Sequence, residues 1–454
     1  MPIRPITIAV EGCCHGELDS IYAAVLESSR AGVPVDLLLI CGDFESIESE
    51  SDLENMAVPP KYRHMNCFHE YVTGVKTAPV PTVFVGGNHE ASNVLQSLYY
   101  GGYVAPNIFF LGFAGVVNFG YLRICGISGI QNDAHYNLGH YERPPYDESS
   151  LRSVYHIREL EIYRMAHLRY TSSFVEPCHV TKKADGVPQR VNIMLSHDWP
   201  KYIWQYGNCQ ELLRRKPGLV TDVQHNRLGS LPLWDLLTQL RPHFWFCAHL
   251  HVKFAAVVPW PESSEPVSAT ADQYSPSTGP TCGISAKHAT RFLSLDKVLP
   301  GREFLQILTI PPPEEGERNQ IFNKDSSYTL EWDLEWLGII QRTHHLLHTF
   351  KQRPPPGLQI PRSLQPMSSE QDLIAIKRHV EASFLSTGLE IPCVHPRAVL
   401  GGSAGQATPH RGNVQTDKLL TALQVPHIWT VPYADSIEPP SVCTHFIDTN
   451  ELDI

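Results

Sequence analysis

The sequence predicts an α/β fold, because short apolar runs alternate with amphipathic segments along its first 258 residues. The runs, such as ITIAVEG and DLLLICG, are rich in Val, Ile, Leu and Phe and are typical of strands buried in a sheet. Residues with metal-binding or acid–base capacity follow five of them. In open α/β sheets, ligands bind at the carboxyl ends of the strands. The two observations together predict one reactive crevice, and hence an enzyme.

Two helices are predicted between these strands. Residues 17–30 place Leu18 and Ile21 on one helical face, which makes the first strand, this helix and the second strand a βαβ unit. Ser230 is a suitable N-cap for a second helix, which we expect to run to Leu240 and to lead into the strand FWFC. The chain therefore opens with the alternation that a parallel sheet requires.

The length of 454 residues predicts two or three structural units. Pro, Ser, Thr and Gly concentrate in a few segments, and one long polar stretch, NDAHYNLGHYERPPYDESS, interrupts the apolar pattern and precedes a helical segment. We expect the following organisation: a catalytic domain over 1–258 that includes the polar loop and helix at 130–170, a flexible insertion at 259–282, a C-terminal domain at 283–395 and a disordered tail at 396–454.

Apolar runs and cysteine spacing indicate the cellular compartment in which we expect the protein. No apolar run approaches the roughly 20 residues that a membrane-spanning helix needs, and no basic flank and apolar core of a signal peptide are present. The eleven cysteines have no repeated spacing, so we expect reduced thiols in a cytosolic or nuclear protein rather than a disulfide framework.

The charge is unevenly distributed. The formal net charge is −11, but residues 61–258 hold 19 basic against 14 acidic side chains, while both flanks are acidic. A non-specific nucleic-acid binder would carry a basic track over many phosphates. The pattern favours a compact site for one phosphodiester over a long groove. We interpret the acidic run Glu45–Glu54 as a solvated face.

The residues that follow the apolar runs form a set of metal donors with one carboxylate. In chain order they are Cys13, His15, Asp43, Asn88, His197, His249 and His251, with His89 next to Asn88. Two cations about 3.5–4 Å apart clamp a phosphate and lower the pKa of a water molecule. One carboxylate must bridge them, and Asp43 is the only acidic residue in the set. The alternatives for single members are a helix cap at Asp43 and structural roles for isolated histidines.

The order of these motifs resembles the calcineurin-like metallophosphoesterases, whose pattern is D-x-H, G-D, G-N-H-[DE], H and G-H-x-H. The resemblance implies a four-layer α/β/β/α sandwich. It also implies one cation held by Cys13, His15, Asp43 and His251, and a second held by Asp43, Asn88, His197 and His249. His89 would not bind metal but would protonate the departing oxygen or stabilise its charge.

Cys13 stands where this superfamily usually has Asp. Because a thiolate is softer than a carboxylate, we expect Fe(II) and Zn(II) at the two positions, with Mn(II) as an alternative. Cys14 is a small core residue in this interpretation, although the two neighbours could exchange roles. Ala248 replaces the usual Gly of the last motif.

Several blocks, among them GCCHGELDSIY, PPKYRHM, GHYERPPY, AHLHVKFAA and FLSLDKVLPGREFLQI, resemble the RNA lariat debranching enzymes. The resemblance is dense over about residues 6–310 and absent from the tail. It implies hydrolysis of the 2′–5′ phosphodiester of branched lariat RNA in the nucleus, where the short basic run Arg214-Arg215-Lys216 is consistent with import. It further makes 130–170 a lariat recognition loop and helix.

We expect substrate contacts from aromatic and cationic residues, because single-stranded RNA is bound by stacking and by cations on phosphate. The candidates are Tyr62, Ser128, Tyr141, His156, Arg158 and Lys253. An ordinary solvated loop braced by Arg and Tyr is the alternative. For the whole chain the alternatives are a phosphatase or nuclease of the same superfamily with another substrate, and a scaffold that has lost its chemistry. We expect no membrane partner, and the tail could recruit proteins.

Overall fold

The computed structural model describes residues 4–168, 191–260, 288–312, 328–361, 370–384, 389–392 and 413–427. Its strands are β1 (Ile6–Glu11), β2 (Leu37–Ile40), β3 (Thr82–Phe84), β4 (Gly102–Ala105), β5 (Ile108–Phe110), β6 (Ala114–Phe119), β7 (Leu122–Ile127), β8 (Ile193–Ser196), β9 (Phe244–Cys247), β10 (Phe254–Trp260), β11 (His288–Ser294), β12 (Leu305–Ile310) and β13 (Leu330–Trp332). Its α-helices are α1 (Leu18–Arg30), α2 (Phe68–Thr73), α3 (Ser92–Ser97), α4 (Glu148–Ser153), α5 (Glu159–Ala166), α6 (Cys209–Arg215), α7 (Val220–Gln224), α8 (Leu231–Leu240), α9 (Leu334–Thr343), α10 (Glu370–Phe384) and α11 (Val414–Leu423).

These strands form two sheets. The first has the order β12-β1-β2-β3-β5-β4 and the second β10-β11-β9-β8-β7-β6-β13. Strands β1, β2, β3 and β5 are parallel in the first sheet, and β7, β8, β9 and β11 are parallel in the second. Each parallel block therefore presents several carboxyl ends on one edge.

Alternation along β1 shows how the first sheet is covered on both faces. Ile8 and Val10 belong to the apolar core shared with the second sheet, whereas Ala9 packs in the core that contains Ile21 and Val25 of α1. Helices α5 and α8 pack on each other and join the core shared with the second sheet. The structure thus confirms the predicted α/β sandwich of two sheets and flanking helices.

Both predicted helices are confirmed. The first begins at Leu18 and ends at Arg30. The second begins after Ser230, whose hydroxyl accepts a hydrogen bond from the backbone N–H of Leu233. The predicted helix in 130–170, in contrast, is broken into α4 and α5, because His156 forms a β-bridge with Ile130 between them. No helix in the described ranges is long and apolar enough to cross a membrane.

The C-terminal half is built into the sandwich. Strand β12 pairs with β1, β11 pairs with β9, and β13 pairs with β6, so residues on both sides of the predicted boundary at 258 share both sheets. Pro259 and Trp260, predicted to open the flexible insertion, are the last residues of β10. The remainder of 259–282 lies outside the described residues.

The prediction of a disordered tail over 396–454 is wrong for residues 413–427. They contain α11, which packs on α10. Gln415 of α11 accepts a hydrogen bond from the backbone N–H of Tyr103 and donates one to its carbonyl. Leu419 and Leu423 are buried. The rest of that segment lies outside the described residues.

Candidate metal centre

The predicted donors lie at the carboxyl ends of parallel strands from both sheets. Cys13 and His15 follow β1, Asp43 follows β2, and Asn88 follows β3. The second sheet supplies His197 directly after β8 and both His249 and His251 after β9. The side chains meet in one crevice, as the strand-end pattern predicts.

One group of donors consists of Cys13, His15, Asp43 and His251. One ligand atom from each lies within 4.8 Å of the others. His15 Nε2 is 3.2 Å from His251 Nε2 and 3.7 Å from Asp43 Oδ2. Convergent sulfur, nitrogen and oxygen atoms are a donor set that suits a borderline divalent cation. The sulfur of this group belongs to Cys13, whereas Cys14 lies in the separate apolar core that contains Ile21 of α1.

A second group surrounds the other oxygen of Asp43. His197 Nε2 lies 3.3 Å from Asp43 Oδ1 and 3.2 Å from Asn88 Oδ1. The ring of His249 packs edge-on against that of His197, with centroids 5.0 Å apart. Asp43 thus turns one carboxylate oxygen toward each group, which is the arrangement that a bridging ligand requires.

The backbone at this centre is held in an unusual conformation. His15, Asp43, His249 and His251 all have positive φ, between 45° and 63°. Non-glycine residues adopt this region uncommonly, and each instance costs about 1–3 kcal/mol. Four of the seven donors are therefore held in place by the surrounding structure.

Two glycines permit the close approach of the donor loops. A Cβ atom on Gly42 would overlap the ring of His197, and one on Gly87 would overlap the carboxylate of Asp43. Gly42 also has a φ of 117°, which L side chains rarely adopt. These positions have no room for any side chain.

Burial and charge set the protonation of the anionic donors. Burial would raise the pKa of Asp43, but the positive charges of His197 and His89 outweigh burial and hold this pKa well below its usual range. Burial raises the pKa of the Cys13 thiol well above its ordinary value, and the nearby Asp43 and Glu11 raise it further. The carboxylate is ionised without help, whereas the thiol needs a cation to lose its proton.

Burial and charge also set the pKa values of the four predicted histidine donors. Burial lowers the pKa of His249 to about 3 and that of His251 to about 2, so both rings are neutral and offer a lone pair. Burial also disfavours the charged forms of His15 and His197, but Glu45 and Asp43 respectively raise their pKa values overall. When these two rings are protonated their charge offsets that of Asp43, and a bound cation would displace the protons.

Outer contacts orient the donor rings. His197 Nδ1 donates a hydrogen bond to the carbonyl oxygen of Cys41 at 2.9 Å, which directs Nε2 to Asp43. His15 Nδ1 lies 3.2 Å from Glu45 Oε1, with the same consequence for its Nε2. The interpretation of Glu45 as part of a solvated face is therefore wrong, since its side chain is 14% exposed and turned inward.

Glu90 is a further residue whose function the sequence did not reveal. Its buried carboxylate accepts backbone hydrogen bonds from Phe44, Glu45 and Gly87. It thereby ties the loop after β2 to the loop after β3. Burial and the charge of Asp43 raise the pKa of Glu90 to about 7. Only its position in GNHE could have indicated a role.

His89 lies beside the donors without joining either group around Asp43. Its backbone N–H donates to Asp43 Oδ1 at 3.0 Å, and its ring centroid is 5.4 Å from that of His15. The ring is half-buried, and one of its nitrogens lies within 4.8 Å of ligand atoms of His15 and Glu45.

The structure separates the six residues predicted to contact substrate. Ser128, His156 and Arg158 line one cavity beside Gly86 and Gly87. The Ser128 hydroxyl donates to the carbonyl of Gly112, and His156 Nδ1 lies 2.7 Å from Nδ1 of His135.

Buried partners also hold two residues of the recognition loop. Arg158 forms a 2.5 Å ion pair with Glu142, and the hydroxyl of Tyr141 lies 3.0 Å from that of Ser153. These contacts brace the loop and the start of α5. A direct contact with RNA stays a prediction for all four buried residues.

The other two candidates are at the surface. Tyr62 is 53% exposed, and the ammonium of Lys61 lies 4.6 Å from the centre of its ring. Lys253 follows the ligand His251 closely and forms a 3.1 Å ion pair with Glu303. Tyr62 is exposed and Lys253 is half-buried, and substrate contact stays a prediction for both.

Comparison with known proteins gives two matches to family models. Residues 6–253 match the calcineurin-like phosphoesterases, and residues 287–428 match the lariat debranching enzyme C-terminal domain. The second match extends past residue 395, in agreement with the packed position of α11.

Curated relatives cover most of the chain. The human lariat debranching enzyme is 46% identical over 342 residues, which are 75% of this chain and 54% of the relative. That of Danio rerio is 40% identical over 431 residues, 93% of this chain and 66% of the relative. That of Arabidopsis thaliana is 42% identical over 336 residues, 74% of this chain and 68% of the relative. The chain thus spans between about half and two thirds of the length of these relatives.

Proposed function

Because this chain belongs to the lariat debranching enzymes, a family built on the calcineurin-like phosphoesterase domain, we propose that it hydrolyses the 2′–5′ phosphodiester at the branch point of lariat RNA. The observation that carries the proposal is the bridging position of Asp43, with one oxygen facing His15 and the other facing His197 and Asn88. A phosphodiesterase of this kind needs two cations at one carboxylate.

We propose that Cys13, His15, Asp43 and His251 hold one divalent cation and that Asp43, Asn88, His197 and His249 hold the other. The thiolate favours Fe(II) or Zn(II), with Mn(II) as an alternative. When bound, two such cations offset the charge of the phosphate and lower the pKa of water.

The residues around the donors would complete the reaction. A water oxygen would form a bond to phosphorus and release a proton to solvent, while the bond from phosphorus to the 2′-oxygen breaks and His89 donates a proton to that departing oxygen. His89 would then regain a proton from solvent. The branch nucleotide then carries a 2′-hydroxyl, and the released strand end keeps a 5′-phosphate. The half-buried position of His89 beside Asp43 and His15 supports this role.

The proposal is tested by cleavage of a branched RNA and of a linear 3′–5′ RNA of equal length, after reconstitution with Fe(II), Zn(II) or Mn(II). We expect cleavage of the 2′–5′ bond only, with a 5′-phosphate on the released strand. Equal cleavage of both substrates would instead identify a general phosphodiesterase of the superfamily. No cleavage with any metal would indicate a scaffold.

We propose a nuclear location, since branched intron RNA arises where transcripts are spliced. We also propose that the C-terminal segment can bind protein partners. Imaging of the tagged full chain would test the location, and a purely cytoplasmic signal would contradict it.

A further inference from the structure

A cluster of basic side chains lies on the elements beside Cys13. The loop between β11 and β12 carries Lys297 and Arg302, and the end of α6 carries Arg215 and Lys216. Lys253 follows the donor His251. The loop is fixed to the centre because Lys297 forms a parallel β-bridge with Cys13, whose backbone N–H donates to the carbonyl of Asp296.

Three of these five cations are neutralised by acidic partners. Glu303 forms ion pairs with Arg215 at 2.9 Å and with Lys253 at 3.1 Å. Arg302 pairs with Asp296 at 3.2 Å. The basic run of α6 is thus mostly engaged within the molecule.

Lys216 and Lys297 differ from the other three. Among the described residues, neither ammonium group forms an ion pair or a side-chain hydrogen bond. Both side chains are half-buried. Burial lowers the pKa of Lys216, the charge of Asp296 opposes this shift, and the charges of Arg302 and Lys297 add to it, so the two lysines lie close enough to act on each other. Asp296, which already pairs with Arg302, compensates Lys216 only in part, so two half-buried cations beside a site for two more cations favour an anionic partner from outside.

We propose that Lys216 and Lys297 form a phosphate subsite, which holds a phosphodiester of the branch nucleotide other than the one being cleaved. The inference rests on the proposed function. A branch ribose carries three phosphodiesters, at its 2′, 3′ and 5′ positions, whereas a linear one carries two. The cationic pair beside the metal donors engages this additional phosphodiester when a branch occupies the centre. It therefore favours branched over linear RNA.

The test measures binding rather than cleavage, with the metal-loaded chain and a branched RNA whose 2′–5′ linkage is a non-hydrolysable analogue, so that the substrate survives. Affinities of the full chain for a branched RNA and for a linear RNA of equal charge are measured between 50 and 200 mM salt (concentrations chosen to span about fourfold). The variants are Lys216→Ala, Lys297→Ala and Lys297→Arg. Lys377→Ala, which removes an exposed lysine of α10, is the matched control.

We expect each Ala variant at the subsite to weaken binding of branched RNA and to reduce the salt slope of log K by about 0.7, the value for one neutralised phosphate of a single strand. Lys297→Arg keeps the slope, and Lys377→Ala leaves it unchanged. The loss is larger for branched than for linear RNA. Metal content after reconstitution stays equal to that of the wild type, which excludes damage to the neighbouring Cys13.

Unchanged slopes in both Ala variants, or equal losses for branched and linear RNA, would overturn the subsite. Failure of the proposed function is a separate result, because it is measured on the wild type alone. It would be seen if the reconstituted wild-type chain cleaved branched RNA no faster than linear RNA.

Discussion

Cys13 gives the centre its chemical character. The buried thiol has a raised pKa, and among the described residues its sulfur accepts a hydrogen bond from the backbone N–H of His249 at 3.2 Å. A cation must therefore displace the thiol proton, and metal affinity at this position falls as the pH falls. The other donors of this group are nitrogen and oxygen atoms, so the sulfur decides which ion is preferred.

Replacing this sulfur should change the metal preference. We expect Cys13→Asp to shift relative affinity from Zn(II) toward Mn(II) and Mg(II), because a carboxylate is the harder ligand. The variant should also bind metal with a weaker pH dependence, since a carboxylate is already ionised at neutral pH. Competition titrations of both chains from pH 6 to 8 measure the two effects. Cys14→Ala is the control, and an identical preference in Cys13→Asp would remove Cys13 from the donors.

His89 offers a test of proton transfer that leaves the donors intact. We expect His89→Ala to retain its metal and to lower turnover of branched RNA by about 10²–10⁴-fold, the range for general acid catalysis. Turnover and metal content are measured on the same preparation. His225→Ala, at an exposed position after α7, should behave as the wild type. Undiminished turnover in His89→Ala would rule out the assigned role.

Glu45 orients His15, and its removal should weaken metal binding. We expect Glu45→Ala to lower affinity by about 10–100-fold, the usual effect of losing a carboxylate behind a ligating histidine. Glu45→Gln should lose less, because its amide oxygen still accepts the Nδ1–H of His15. Glu54→Ala, in the exposed part of the same acidic run, is the matched control. Equal affinities in all three variants would contradict the orienting role.

At the scale of elements, a buried ion triad joins the second sheet to the C-terminal helices. Arg123 of β7 bonds Asp333 through two nitrogens at 2.9 Å and Glu335 at 2.7 Å. All three side chains are at most 3% exposed. Asp333 also caps α9 by accepting the backbone N–H of Trp336. The triad therefore fixes α9 to the sandwich.

Removing one acidic member should destabilise the whole fold. We expect Asp333→Ala to lower the free energy of unfolding by about 3–5 kcal/mol, because the buried Arg123 loses one of its two partners and α9 loses its N-cap. Glu27→Ala breaks an exposed ion pair with Arg30 in α1 and should cost about 0–1 kcal/mol. Urea unfolding of both variants compares them directly. A similar small loss in each would mean that the C-terminal segment is not coupled to the sandwich.

The elements also show which features a sequence can predict. The strand ends and α1 follow from patterns of a few neighbouring residues, so the seven donors could be placed without a structure. The helical pattern of 151–168 was broken because Ile130, more than 20 residues away, pairs with His156. The position of α11 depends on the hydrogen bonds between the Gln415 side chain and the backbone of Tyr103. The inward direction of the Glu45 side chain depends on the left-handed backbone of Glu45 and on its contact with His15. No local pattern carries such distant contacts.

At the scale of the whole molecule, two sheets bring their strand ends to one crevice and meet there at Asp43. The first sheet supplies Cys13, His15, Asp43 and Asn88, and the second supplies the three remaining histidines. Because each group of donors mixes residues from both sheets, neither cation site is complete without the sandwich. The centre and the fold are thus expected to be lost together on unfolding.

A titration of metal-free chain with Fe(II) or Zn(II), followed by cleavage of branched RNA, tests this account most directly. We predict that cleavage rises until two equivalents per chain are bound, and that Asp43→Asn binds neither ion tightly and does not cleave. Full cleavage at one equivalent, or cleavage in chelator, would contradict the two-cation centre bridged by Asp43.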